Sequence, residues 1–137
     1  MDELYSSLTI SAYGMRAQGE RTRVISENIA NAQTAPLTPE GDPYSRKVIT
    51  FKNEMDRTYN QRLVKVEDIA SDRRGPYPIK YMPDHPGADE NGYVTMPNVN
   101  MLIEVNDMRE AQRSYEANLG MIEQTRSMML RTIDLLR

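Results

Sequence analysis

The chain has 137 residues, a formal net charge of −3 at pH 7 and no cysteine. This length predicts one ordinary domain, and the lack of cysteine excludes disulfides and thiolate chemistry. The charge is spread evenly along the chain rather than gathered into a basic patch, so binding of nucleic acid or of an anionic membrane has little electrostatic support.

All eight prolines lie between Pro36 and Pro97. Proline in a helix interior costs roughly 3 kcal/mol or more, so long helices are possible only at the two ends of the chain. We therefore predict a mainly α fold in which residues 1–35 and 98–137 form one discontinuous, coiled-coil-like helical domain. Residues 36–97 are predicted to be a Pro-rich insertion with a small, irregular β-hairpin on extended loops.

The N-terminal helix is predicted from apolar residues that recur in alternating steps of four and three. Five of the eight residues at these positions are apolar. The eight residues are Leu4, Leu8, Ser11, Met15, Gln18, Thr22, Ile25 and Ile29. Small residues such as Gly14 and Gly19 lie beside this stripe and would let another helix approach closely. The helix is expected to end within residues 31–35, because the residue before a proline is biased away from helical backbone.

The middle of the chain reads as short strands between turns. Residues 45–52 contain the β-favouring run Val48 to Phe51 and predict one strand, and residues 63–69 predict a second. Residues 91–95 look like a turn that leads into a short strand. A hairpin or a three-stranded patch is the expected arrangement.

The C-terminal helix has the clearest pattern in the chain. In the same alternating steps, nine of its eleven residues are apolar. The eleven residues are Met101, Val105, Met108, Gln112, Tyr115, Leu119, Ile122, Arg126, Met129, Ile133 and Leu136. A repeat of 3.5 residues sustained over five heptads is typical of a coiled-coil seam. The helix is predicted over residues 100–136, with Asn98 or Asn100 as its N-cap.

The sequence gives little reason to expect catalysis. The only histidine, His85, lies near Asp84, Asp89 and Glu90 in the sequence, and histidine and carboxylate side chains are the types that bind metals. A solvated turn is the better interpretation, because there is no second histidine and no cysteine. We therefore predict no catalytic, cofactor-binding or metal-binding residues, no small-molecule substrate and no enzyme activity.

Three stretches of the chain resemble a known family. They are residues 11–34, which include Asn28–Asn31, residues 91–100, and residues 108–118, which end in Tyr115–Asn118. Together they resemble the bacterial flagellar axial proteins, which form rod and hook. The short middle, with residues 42–47 and Met96–Val99, is similar to the proximal rod proteins of the C type. Glu27 departs from the small or neutral residue that relatives often have there.

The resemblance implies a structural subunit of the flagellar proximal rod. Such a subunit leaves the cell interior through the flagellar type III export apparatus without signal cleavage. It polymerises helically with copies of itself and other rod proteins around the export channel of the basal body. The expected interface residues are Leu8, Met15, Ile25, Asn28, Ile29, Asn31, Thr34, Met108, Tyr115, Asn118, Leu119, Ile122, Met129, Ile133 and Leu136. The alternative is a helical adaptor or export chaperone that binds a partner helix.

Overall fold

The computed structural model describes residues 2–137, which form a helix, then strands, then a second helix. The helices are α1, Asp2–Ala30, and α2, Met101–Leu135. Between them lie β1 (Lys47–Asp56), β2 (Gln61–Ser71), β3 (Ile79–Tyr81) and β4 (Tyr93–Thr95). The prediction of two terminal helices with a small hairpin region between them is confirmed. The label "mainly α" is too strong, because the helices contain only 29 and 35 residues.

Local sequence signals mark the start of α2 and the end of α1. Asn100 is the N-cap of α2, since its Oδ1 accepts a hydrogen bond from the backbone N–H of Leu102 at 3.0 Å. Asn98, the other candidate cap, instead bonds backbone groups of the middle segment. At the end of α1, the Asn31 side chain donates to the carbonyl of Glu27 at 2.8 Å, which closes the last turn before Pro36.

The strands form two separate two-stranded sheets rather than one patch. Strands β1 and β2 pair with each other across a four-residue turn, in which Asn60 adopts a φ of 51°. Asparagine tolerates this left-handed conformation better than most residues. Strands β3 and β4 pair antiparallel, with Lys80 opposite Val94. Strand β3 was not predicted, because prolines precede it and only three residues pair.

The chain divides into two compact units. Unit 1 comprises residues 2–22, 49–68 and 109–137, and its most buried side chains are Ala17, Leu63, Ala111 and Thr125. Unit 2 comprises residues 23–48 and 69–108. Its buried apolar side chains are Val24, Ile25, Ala32, Val94 and Met96, and the polar side chains of Asn28 and Glu104 are buried with them. Each unit therefore has only a small apolar core.

Candidate subunit-interface surfaces

In unit 1 the two helices contact each other through small and polar side chains. Ser7 Oγ lies 3.3 Å from Thr125 Oγ1, and these two hydroxyls share a hydrogen bond. Seven residues further along α1, a Cβ atom at Gly14 would lie only 2.8 Å from Asn118 Oδ1. Contact positions rise along α1 as they fall along α2, so the helices run antiparallel here. This contact consumes little of the apolar surface that the sequence supplies.

The large apolar side chains on α2 in unit 1 are left largely uncovered. Tyr115 and Leu119 are each 40% exposed, Ile133 is 45% exposed and Leu136 is 82% exposed. The buried positions of α2 in unit 1 are Ala111 and Thr125, each one residue before a position of the predicted seam. One residue corresponds to about 100° around an α-helix. The inward face of α2 is therefore rotated away from the apolar stripe, and a coiled-coil seam within the chain is not confirmed.

The remaining predicted interface residues lie at several depths. Within unit 1, Leu8, Met15, Asn118, Ile122 and Met129 are half-buried. Within unit 2, Ile25 and Asn28 are buried, Ile29, Asn31 and Met108 are half-buried, and Thr34 is exposed.

The Asn28 side chain in unit 2 binds both backbone groups of Lys47. Its Nδ2 donates to the Lys47 carbonyl at 2.9 Å, and its Oδ1 accepts from the Lys47 N–H at 2.8 Å. The same Oδ1 also accepts from the hydroxyl of Tyr44 at 2.8 Å. The Asn28 side chain on α1 therefore makes the backbone hydrogen bonds that a neighbouring strand would make at the start of β1. Its buried amide group is satisfied by these bonds.

Glu104, near the start of α2, completes this polar cluster. The residue is fully buried, and its Oε1 accepts from Arg46 Nε at 2.5 Å while its Oε2 accepts from Asn28 Nδ2 at 3.1 Å. Arg46 also reaches the carboxylate of Asp107 at 3.4 Å. A buried carboxylate is tolerated only with such partners. The cluster therefore fixes α1, α2 and the segment before β1 at one point in unit 2.

An ion pair at the edge of the cluster shifts two pKa values in opposite directions. The hydrogen bond from Lys47 Nζ, at 2.8 Å, holds the pKa of the Glu27 carboxyl below its ordinary value. The same bond raises the pKa of the Lys47 ammonium group. Burial raises the pKa of the nearby Tyr44 hydroxyl. Glu27 is thus the partner of both Lys47 and Arg23.

Sequence reasoning missed Tyr44, Arg46 and Glu104 as members of this cluster. The available signal was Glu104 itself, an acidic residue inside the apolar run from Met101 to Val105. Its main partner, Arg46, lies 58 residues away along the chain, and no local pattern connects the two.

Within residues 2–137, no group of histidine and carboxylate side chains is arranged to hold a metal ion. His85 Nδ1 accepts a hydrogen bond from the backbone N–H of Gly87 at 2.9 Å, so this ring nitrogen stabilises a turn. Neither α1 nor α2 is apolar over a length sufficient to cross a lipid bilayer.

Comparison with known proteins identifies the family. The family model described as flagellar basal body rod FlgEFG protein C-terminal matches residues 90–135. The whole chain is 50% identical to the flagellar basal-body rod protein FlgC of Agrobacterium fabrum and covers 98% of that protein. The chain belongs to the FlgC family. It is also similar to FlgC of Borreliella burgdorferi, at 36% identity over 98% of each chain. FlgC of Salmonella typhimurium is 35% identical over 96% of this chain and 97% of that protein.

This membership confirms the resemblance that the motifs indicated. A FlgC-family chain is a structural protein of the flagellar basal-body rod and not an enzyme. The alternative of a helical adaptor or export chaperone is not favoured.

Proposed function

We propose that this FlgC-family chain polymerises helically in the proximal rod, with copies of itself and with other rod proteins. The resulting shaft transmits torque and surrounds the protein-export channel. The observation that carries this proposal is the uncovered apolar stripe of α2, defined here as Tyr115, Leu119, Ile133 and Leu136, which are 40–82% exposed. A stripe of this length on a helix is a surface for neighbouring helices.

The energetics of the stripe favour assembly over an isolated chain. Burial of a leucine or isoleucine side chain stabilises by about 1.5–3 kcal/mol relative to exposure. Several such side chains on one helix can therefore offset the loss of freedom when a subunit joins a filament. The coiled-coil-like packing expected from the heptad pattern forms between subunits rather than within one chain.

The assembled state is also where the predicted domain arrangement applies. Residues 1–35 and 98–137 act as one helical domain that contacts neighbouring rod subunits, and residues 36–97 form the insertion. The predicted interface residues that are exposed, such as Thr34, Tyr115 and Leu119, are the first candidates for these contacts. Repeated head-to-tail contacts that do not close into a ring produce a helical filament.

The route to the rod follows from the same proposal. The chain is exported by the flagellar type III apparatus without removal of a signal peptide. It is then incorporated in the periplasmic part of the basal body. The names of the relatives, flagellar basal-body rod proteins, support this location.

A charge placed in the stripe tests the proposed assembly. Leu119→Asp should abolish swimming and remove the chain from purified basal bodies, in a strain that lacks the native gene. The matched control is Ala117→Asp, which adds the same charge to another exposed position of α2, about 200° around the helix. The circular dichroism of each purified variant should equal that of the unmodified chain. Normal swimming with Leu119→Asp would refute the role given to the stripe.

A further inference from the structure

The tip of the β1–β2 hairpin, residues 55–62, is a basic and aromatic surface without a partner. Met55 is 53% exposed and Tyr59 is 49% exposed. Arg57 and Arg62 are also exposed, and neither guanidinium group has a hydrogen bond or ion pair within residues 2–137. Asp56, the only acid in the tip, is already bound by the Thr58 N–H at 2.9 Å and by Lys65 Nζ at 3.6 Å. The hairpin tip therefore offers two cations and two large apolar groups.

Unit 2 contains a groove with a complementary lining. It has a volume of about 330 Å³ and is lined by Pro36, Pro39, Ile79, Asp89, Tyr93 and Thr95, among others. Ile79 is 66% exposed and Tyr93 is 46% exposed. The ring of Tyr81, itself 65% exposed, packs edge-on against Tyr93 with 5.3 Å between ring centroids. We call this surface the unit 2 groove.

The loop that joins β3 to β4 lines part of the groove through Gly87 and Asp89, and it carries further acidic residues. Asp84 and Glu90 in this loop are exposed, and within residues 2–137 neither carboxylate has a hydrogen bond or ion pair. Asp89 lies in the groove and uses one oxygen to accept bonds from the Asn91 and Tyr93 N–H groups, both at 2.9 Å. The single lysine of the region, Lys80, donates to Gln33 instead.

Strand β3, whose Ile79 lines the groove, pairs only with β4 within residues 2–137 and so has one unpaired edge. Met82 N–H donates to the Gly92 carbonyl, and Met96 N–H donates to the Pro78 carbonyl. Because antiparallel ladders alternate, the backbone groups of Ile79 and Tyr81 point away from β4. An open edge of this kind accepts an additional extended segment.

We propose that the hairpin tip of one copy docks in the unit 2 groove of a second copy. The charge signs select this occupant, since Arg57 and Arg62 would meet the loop that carries Asp84, Asp89 and Glu90. Tyrosine and arginine are also the residue types that most often anchor interfaces. Each copy offers one tip and one groove, so the contact is head-to-tail and continues along an open assembly. The proposal rests on the proposed function as a rod subunit, and it adds a contact outside the terminal helices.

Cross-linking between introduced cysteines gives a direct test, because the chain contains no cysteine of its own. Thr58→Cys and Pro83→Cys variants, each at an exposed position next to the tip or groove tyrosines and tagged to differ in mass, are expressed together in a strain lacking the native gene. A short bismaleimide should then link the two masses in purified basal bodies. The control replaces Pro83→Cys by Tyr5→Cys, at an exposed residue on α1, and should give no link. Basal bodies that contain both variants without a link would overturn the proposal.

A charge-swap experiment tests the same contact without cross-linking. Arg57→Glu with Arg62→Glu, or Asp84→Arg with Glu90→Arg, should each lower the swimming fraction at least tenfold, since opposed charges become like charges. The four changes combined in one chain should restore swimming to within about twofold. A combined variant as defective as either pair would contradict the contact.

Two further experimental outcomes distinguish a wrong docking partner from a wrong function. A photo-reactive residue at position 81 should give an adduct of two copies of this chain, and an adduct with a different rod protein would overturn the choice of occupant. If the unmodified chain itself is missing from purified basal bodies, the proposed function fails and the docking proposal falls with it.

Discussion

Unit 1 and unit 2 are stabilised by different kinds of contact. In unit 1 the helices approach closely at small and polar residues, as at Ser7 and Thr125 or at Gly14 and Asn118. In unit 2, Asn28 and Glu104 make directed hydrogen bonds to each other and to Arg46 and Lys47. Directed bonds specify one arrangement, whereas close approach of small residues constrains the helices less.

This difference indicates how the chain divides its tasks. Unit 2 satisfies its buried polar groups internally, so it should remain structured in the isolated chain. Unit 1 leaves the stripe at Tyr115, Leu119, Ile133 and Leu136 exposed, so it should gain much of its stability from neighbours. Loss of a contact should therefore affect the two units differently.

Removal of the Glu104 side chain should have the largest effect. Glu104→Ala leaves Arg46 and Asn28 without their buried acceptor, and loss of one partner of a buried ion pair costs about 3 kcal/mol. Thr125→Ala in unit 1 removes a shared hydroxyl bond and one buried methyl group, and should cost about 1–2 kcal/mol. Urea denaturation of the full chain, followed by circular dichroism, measures both free energies of unfolding.

Asp107→Ala provides the control for the Glu104 variant. Asp107 also contacts Arg46, at 3.4 Å, but its side chain is 31% exposed. Partly exposed ion pairs contribute at most about 1 kcal/mol, so this variant should lose little stability. Similar losses for Glu104→Ala and Thr125→Ala would remove the distinction between the units.

The glycines of α1 should show a smaller effect that depends on position. Gly14→Ala and Gly19→Ala gain the same helix propensity, about 1 kcal/mol. The new Cβ at position 14 would lie 2.8 Å from Asn118 Oδ1, whereas nothing lies within 4 Å of one at position 19. Gly19→Ala should therefore unfold at a higher temperature than Gly14→Ala, by an amount that corresponds to about 1–3 kcal/mol of overpacking.

The same pair of variants also sharpens the contrast between chain and assembly. Gly19→Ala should stabilise the isolated chain while lowering incorporation into basal bodies, if a neighbouring helix approaches this open glycine. Equal thermal stability of the two variants would show that the contact between Gly14 and Asn118 is absent from the isolated chain.

Features set by local sequence could be predicted. The two proline-free ends, the Asn100 cap and the β-favouring run at Val48 to Phe51 each depend on residues close together in sequence, and each appears in the fold. The inward face of α2 could not be predicted in the same way. An apolar stripe shows that a face will be buried, but the pattern does not show whether its partner is the same chain or a neighbour.

The polar cluster of unit 2 was beyond local reasoning for a different reason. Asn28 drew attention through the family resemblance, but its bonds to Lys47, Tyr44 and Glu104 join segments far apart in sequence. Such pairings depend on tertiary geometry rather than on periodicity. Strand β3 could not be predicted from the sequence, because its stability comes from pairing with β4 rather than from its own three residues.

The smallest expected effect concerns pH. Because Lys47 holds the pKa of Glu27 below its ordinary value of 4.5, the ionised carboxylate stabilises the folded state. This contribution is fully present above pH 4.5 and is lost as the pH falls through the lower pKa of the folded chain. In unit 1, bonds from Lys52 and Lys65 lower the pKa of Glu54 in the same direction. Both pairs are partly exposed, so salt should weaken both effects.

Carboxyl NMR titration of the isolated chain distinguishes the two glutamates. If unit 2 is structured without neighbours, Glu27 should titrate below 4.5, and Lys47→Met should return it towards that value. If unit 1 needs neighbours, the Glu54 titration should move little when Lys65→Met removes a partner. A depressed Glu54 pKa that depends on Lys65, together with an ordinary Glu27 pKa, would reverse the assignment of the ordered unit. That result would mean that close packing of small residues specifies structure better than the directed bonds of Asn28 and Glu104 do.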